Sequence, residues 1–302
     1  MADGRFAPSP TGDLHLGNLR TALVAWLFAR SSGGRFIVRM EDLDRVTSSP
    51  EHEQRQLADL AALGLDHDGE VVRQSERFDR YGAAIDHLTA AGLTYPCYCT
   101  RREIREAAEA PHGPSPEGAY PGTCRRLSPD RRAAIEASGR TPALRLAAAG
   151  ETVRFTDRLH GPTVGLVDDV VLRRRDGVPA YNLAVVVDDA AQGIDEVVRG
   201  DDLLTSTARQ LHLGRLLGLA DPVYAHVPLV LGPDGRRLAK RHGAVTLADL
   251  RAEGWTAADV LGRLAVSLRL AVRGEPVGPD RLAERFDPSL LPRDPWVFPE
   301  ST

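Results

Sequence analysis

Lysine is almost absent from this 302-residue chain: of 38 lysines and arginines, a single one, Lys240, is lysine. Where every other such cation is a planar guanidinium, one compact and mobile ammonium marks a position that needs it. Cysteine is scarce too, with three in all. That odd, small number excludes a disulfide framework in a chain of this size. No apolar run approaches the ~18 residues of a membrane span, and the amino terminus lacks a basic-then-apolar export pattern. The expected location is therefore the cytoplasm, with no membrane partner. Neither G-x-G-x-x-G nor G-x-x-x-x-G-K-[ST] occurs, which removes the dinucleotide fingerprint and the P-loop as explanations of a phosphate site. A net charge of -4 argues against indiscriminate nucleic-acid binding while leaving room for a local basic face.

What is present suits a globular α/β protein: 42% hydrophobic and 26% charged residues, in a chain long enough for one main domain and a smaller one. The stretch from Arg5 to Asn18, RFAPSPTGDLHLGN, begins apolar and breaks at two prolines and Gly12. Apolar residues then recur with helical spacing at Leu16, Leu19, Leu23, Trp26 and Leu27, and Gly33-Gly34 ends the run. Arg35–Met40 suits a second strand, so residues 5–40 read as one βαβ unit. Such a unit offers an anion site where free N–H groups of the helix start face the strand end, and His15 and Asn18 stand there. Glu41-Asp42-Leu43-Asp44 follows the second strand directly, at the end of a parallel sheet where ligands bind.

Further along, Ser49-Pro50 and Ser75 open two helices of packing character. Cys97-Tyr98-Cys99 and Cys124 gather soft thiolates, which suit one structural Zn²⁺. A fourth ligand is needed. Tyr120 and His112 are both placed to supply it, and imidazole is the commoner ligand in general. Residues 125–175 read as a helix from Ser128-Pro129 and β-like runs near 143–146, 152–155 and 167–172. Arg173-Arg174-Arg175-Asp176-Gly177 reads as a basic hairpin tip. The apolar run 178–189, ending in Asp188-Asp189, reads as a buried parallel strand. Another follows at 197–203, then a helix from Thr205, a strand over 224–231, and Arg236-Arg237-Leu238-Ala239-Lys240 after an Asp234-Gly235 turn.

The string PSPTGDLHLGN resembles the first signature, usually written HIGH, of the class I aminoacyl-tRNA synthetases in their glutamate-specific form. RRLAK resembles their second, KMSKS, with Arg237 and Ala239 departing from it and Asn18 replacing a frequent histidine in the first. MEDLDR, YNLAVVVDD and RGDDL resemble further segments of the same family. The resemblance implies a Rossmann-type catalytic domain, split over 1–95 and 176–235. A zinc-binding, tRNA-contacting insertion would occupy 96–175, and the signature loop and a helical segment 236–302, with no anticodon-binding domain. It implies ATP-dependent activation of L-glutamate, with Mg²⁺ accompanying ATP. His15 and Lys240 would stabilise the reacting phosphate, with His15, Gly17, Asn18 and Lys240 against ATP. Arg5, Phe6, Ala7, Pro8, Ser9, Glu41, Tyr181 and Arg199 would hold glutamate. The glutamyl-queuosine branch of the family binds zinc through C-x-C and Y-x-x-x-C, which implies Cys97, Cys99, Tyr120 and Cys124 here. That branch implies, as partner, tRNA(Asp) bearing queuosine in its anticodon and, as form, a monomer. Charging of tRNA(Glu) and a non-catalytic RNA-binding role are the alternatives.

Overall fold

The computed structural model describes residues 1–100, 102–104, 119–148, 150–238 and 245–298. Its first unit is β1 (Gly4–Phe6), α1 (Leu16–Ser31) and β2 (Phe36–Met40), the two strands parallel with Arg5 opposite Ile37. Next come α2 (Pro50–Ala62), the short β3 (Val72–Arg73) and α3 (Phe78–Ala90). Ser49 caps α2 by accepting the His52 N–H, with Pro50 in the first turn where its missing donor costs nothing. The middle of the chain forms β4 (Thr94–Cys97), α4 (Pro129–Ala137), β5 (Ala143–Leu146), β6 (Thr152–Asp157), β7 (Gly161–Leu166) and β8 (Val171–Arg173). Then come α5 (Tyr181–Ala191), β9 (Glu196–Gly200), α6 (Leu204–Leu216), β10 (Val223–Val227) and β11 (Val230–Leu231). The C-terminal part holds α7 (Leu247–Ala252), α8 (Ala257–Ser267), α9 (Pro279–Glu284) and β12 (Trp296–Val297).

The main sheet has seven strands in the order β3-β2-β1-β9-β10-β6-β7. Every pair is parallel except the β6–β7 hairpin at its edge. A separate antiparallel sheet, β4-β5-β8, carries Cys97 at the end of β4, with Cys99 in the loop that follows and Cys124 in a short helical turn, Thr123–Arg126. The segment 96–175 is thus shared between two sheets, since its β6–β7 hairpin extends the main one. The run 167–172 contributes strand only from Val171, and the 173–177 tip does turn, with the Arg174 N–H donating to Val178 O at 2.8 Å.

One reading is corrected outright: residues 178–189 are not a strand. From Tyr181 they form α5, which Gly193 follows at φ 69° as a left-handed helix stop. The run is apolar on nearly every side, so its periodicity does not distinguish strand from helix. The deciding feature is polar: Asp188 and Asp189 lie one turn after the buried Ala184 and Val185, and both are buried on arginines.

Helix α1 explains how the two ends of the chain meet. It is apolar almost all round because it is covered twice, by the sheet on one side and by the C-terminal helices on the other. Phe28 meets Phe286 edge-on at 5.2 Å between ring centres. The fully buried Arg20 ties α1 to Pro228 O at 2.8 Å and Ser267 Oγ at 3.1 Å. Among the described residues no helix is long and apolar enough to cross a membrane. This docking predicts a contrast along α8: Leu264→Ala, at a fully buried position, should cost about 2–5 kcal/mol in denaturant unfolding. Val266→Ala, at a 37% exposed one, should cost within about 0.5 kcal/mol. Equal costs would contradict the docking.

Candidate active site

The carboxyl ends of β1, β2 and β9 open into one cleft of about 610 Å³. Arg5, Phe6, Ala7, Pro8, Ser9, His15, Gly17, Asn18, Glu41, Tyr181 and Arg199 all line it, joined by Asp202 and Arg237. Backbone bonds draw these segments together. The Glu41 N–H donates to Pro8 O at 2.9 Å, and Gln56 Nε2 donates to Ser9 O at 3.0 Å and Gly12 O at 2.7 Å. The Leu16 N–H donates to Val245 O at 2.8 Å. Lys240, with Ala239 and Arg241, lies outside the described residues, as does His112. The residues flanking Lys240 reach the cleft region: Arg237 lines it, and Val245 is bonded to the start of α1.

Charge is distributed unevenly among the buried arginines. Arg5 Nε donates to Asp189 Oδ1 at 3.3 Å and its Nη1 to Val198 O at 3.1 Å. Arg39, wholly buried beneath the cleft, bonds Asp189 at 2.8 Å and Glu41 at 3.4 Å. Arg199 differs. It is 5% exposed, and its partners are His226 Nε2 at 3.0 Å, Gln210 Oε1 at 2.6 Å, Thr207 Oγ1 at 2.8 Å and Leu203 O at 3.3 Å. Every one of those acceptors is uncharged. Among the described residues no carboxylate touches it, and a buried cation without a direct ion-pair partner is costly, several kcal/mol in order of magnitude, so the cleft is arranged to take an anion at Arg199. Glu41 has the opposite need. Burial pushes its carboxyl above the ordinary range against the pull of Arg39 and Arg5, and an ammonium brought beside it would restore the charged form. Burial and Glu41 also raise the Tyr181 hydroxyl, which keeps it a neutral donor.

His15 is the N-cap of α1. Its Nδ1 accepts the N–H groups of Gly17 at 3.0 Å and Asn18 at 3.3 Å, and Asn18 Oδ1 accepts the His15 N–H at 3.2 Å in return. The donors expected to be free for an anion at this helix start are therefore occupied, one by Val245 O and two by the imidazole. With Nδ1 accepting, the ring proton resides on Nε2, and His15 meets an anion as a side-chain donor. Gly17 is required by this cap, because a Cβ there would lie 2.8 Å from His15 Cε1. Burial, aided by Arg237, pushes the His15 pKa down to about 4, so the ring is neutral at physiological pH.

Beside the β4-β5-β8 sheet, Cys97, Cys99 and Cys124 bring their sulfurs within 4.8 Å of one another. The Tyr120 hydroxyl stands 3.4 Å from Cys97 Sγ and 3.5 Å from Cys99 Sγ. Hydrogen bonding between the first two thiols pulls Cys97 below the ordinary thiol range and pushes Cys99 above it. Three soft thiols and a phenol oxygen around one point fit a tetrahedral metal ion. The Arg145 guanidinium, 3.8 Å above the Tyr120 ring, offsets the negative charge such a ligand set carries. Asp168 links this cluster to the main body: its Oδ2 accepts the Tyr120 N–H at 2.8 Å and its Oδ1 accepts from Arg209 of α6.

The cleft's outer supports escaped the sequence. Asp189, Thr207, Gln210, His226 and Asp157, together with Gln56 on the wall itself, hold the lining residues in place, and only the buried Asp189, at the end of an apolar run, left a local signal.

The family model for tRNA synthetases class I (E and Q), catalytic domain, matches residues 2–271, and the chain belongs to that family. A Nocardia farcinica protein named glutamyl-Q tRNA(Asp) synthetase is 63% identical over 298 residues, covering 99% of this chain and 93% of its own. One of the same name from Symbiobacterium thermophilum is 52% identical over 314 residues, covering 100% and 97%. Among solved structures, a glutamate tRNA ligase from Elizabethkingia meningosepticum in complex with its amino acid superposes with a TM-score of 0.83 at 28% identity. That match covers 99% of this chain and 67% of the ligase.

The His15 cap predicts a pH signature. Its imidazole protonates near 6.5 when unfolded and near 4 when folded, so on acidification the unfolded chain binds the proton first. Stability present above pH 6.5 is then lost as pH falls toward 4. Asn at this position still caps but does not titrate. Wild type should lose stability relative to His15→Asn between those values in denaturant unfolding, and parallel curves would contradict the neutral-imidazole cap.

Proposed function

We propose that this chain uses ATP to activate L-glutamate as glutamyl-adenylate and then transfers the glutamyl group to the queuosine base in the anticodon of tRNA(Asp). It does so in the cytoplasm, as a monomer. The relatives named for that activity, 63% and 52% identical over nearly the whole chain, support the reading. The observation that carries it is Arg199, a buried guanidinium whose hydrogen-bond partners among the described residues are all uncharged, on the wall of a cleft that also holds Arg5 and Glu41. A zwitterion with a second carboxylate matches that pattern. Its side-chain carboxylate would lie between Arg5 and Arg199 and its ammonium at Glu41, with Tyr181 and the Phe6–Ser9 segment closing around it.

In the first step an oxygen of the glutamate α-carboxylate attacks the α-phosphorus of ATP. The bond from that phosphorus to the bridging oxygen of pyrophosphate breaks, and the electron pair leaves with pyrophosphate; Mg²⁺ brought with ATP would supply counter-charge to its oxygens. No protein nucleophile takes part. The reaction gains from positioning and from donors aimed at the phosphate oxygens: His15 through Nε2–H and Lys240 through its mobile ammonium. Gly17 and Asn18 serve by holding His15. Cys97, Cys99, Tyr120 and Cys124 would hold one structural Zn²⁺, a cross-link for a small sheet with little core of its own.

Transfer of labelled glutamate tests this directly. Labelling of queuosine-containing tRNA(Asp), with none of queuosine-free tRNA(Asp) or tRNA(Glu), is expected. Labelling of tRNA(Glu) alone would replace the proposal with ordinary charging, and no glutamate-dependent ATP–pyrophosphate exchange would remove the catalytic reading altogether.

A further inference from the structure

Three neighbouring strands of the main sheet set a carboxylate, an imidazole and a guanidinium in line. The parallel register of β10 with β9 places His226 beside Arg199, and its register with β6 places Tyr224 opposite Asp157. All three side chains are buried. Asp157 Oδ1 accepts the N–H groups of Leu159 at 2.9 Å, His160 at 3.0 Å and His226 at 3.3 Å, while Oδ2 lies 2.6 Å from His226 Nδ1. Burial opposes ionisation of Asp157, but the bonds from His226, His160 and Leu159 outweigh it and hold its pKa down to about 2. An ionised Oδ2 takes the imidazole proton at Nδ1. That leaves Nε2 as a lone pair, which receives the Arg199 Nε–H at 3.0 Å and stands 3.1 Å from the Thr207 hydroxyl, itself an acceptor for Arg199 Nη2.

The arrangement answers a specific difficulty. A guanidinium that must grip a substrate carboxylate has to be held firmly, yet a carboxylate holding it would neutralise the charge the substrate needs. A neutral imidazole with its proton turned away supplies the grip without the neutralisation. We propose that Asp157 and His226 are positioning residues that set the amino acid selectivity of the cleft, aiming Arg199 at the substrate's side-chain carboxylate while keeping the protein's own carboxylate one imidazole away from it. The proposal rests on the reading of the cleft as a glutamate site. It goes beyond it by assigning selectivity to two residues behind the binding surface.

The sharpest variant is Asp157→Asn, nearly the same shape. Three N–H groups claim the Oδ1 position, so the amide must turn its NH₂ toward His226 Nδ1. The imidazole then carries its proton on Nε2, donor against donor at Arg199. In ATP–pyrophosphate exchange the KM for glutamate should rise about 10- to 100-fold, with kcat and the KM for ATP within about twofold of wild type. The preference for glutamate over glutamine should fall in parallel. His226→Gln places an amide oxygen near the Nε2 position and should retain most of the glutamate affinity, and adding Asp157→Asn to it should cost little more. His226→Asn, whose amide reaches only the Nδ1 position, should behave like Asp157→Asn.

Unchanged glutamate KM and selectivity in Asp157→Asn would overturn the proposal. So would equal losses toward glutamate and ATP accompanied by a lowered melting temperature, the mark of a merely structural role. Should Asp157→Asn fail to fold, the His226→Gln and His226→Asn pair decides: equal behaviour overturns the proposal, and the expected contrast upholds it. Wild-type exchange separates the two layers. If it shows no glutamate dependence, the glutamate reading itself falls; if it is selective while the variants are indifferent, only the positioning role does.

Discussion

A buried positive charge that no carboxylate of the described residues touches organises this molecule. Arg199 is held by an imidazole, an amide, a hydroxyl and a carbonyl, while the neighbouring buried arginines Arg5 and Arg39 share Asp189. Folding leaves that guanidinium dehydrated, at a cost the rest of the core must offset. A ligand carboxylate entering the cleft recovers it, and a neutral amide does not. The same logic runs in reverse at Glu41, whose burial favours the uncharged acid until an ammonium arrives. The cleft thus carries complementary deficits, one of negative charge and one of positive.

The fold keeps these deficits in register by making them depend on distant parts of the chain. The parallel sheet brings Arg5, Glu41 and Arg199 to one edge because β1 lies between β2 and β9. Helix α1 fixes His15 at the same edge, and both are held by what covers α1 from behind. Arg20 reaches Ser267, Phe28 meets Phe286, and Leu16 is bonded to Val245. Residues following the second signature therefore brace the first one. The cysteine cluster is tied in by another route, from Tyr120 through Asp168 to Arg209 on α6, the helix whose Thr207 and Gln210 hold Arg199.

Much of this was legible where the cue is local. The βαβ unit announces itself through prolines, glycines and a clean helical spacing, and the family's signatures fix the cleft's lining. Residues 178–189 read as a strand from sequence because an apolar run has no informative period, and only its two buried acids distinguish the helix that forms from Tyr181. The occupied N–H groups at the start of α1 were hidden by a side chain, His15, folding back on its own helix. Asp157 and His226 were invisible for a different reason. They are separated by many residues of helix and loop, and they meet only because β6 pairs with β10, a fact of topology that no local spacing records.

Since one guanidinium without a direct ion-pair partner among the described residues is held to select the ligand, calorimetric titration of the wild-type protein with glutamate and with glutamine is the most direct measurement. The two ligands are nearly the same size and differ chiefly in the charge that Arg199 lacks. Glutamate should bind more tightly by about 100-fold or more, because its amide counterpart leaves the buried cation unpaired. Equal affinities would contradict the account, showing that the charge of Arg199 is satisfied within the protein and that the cleft reads shape alone.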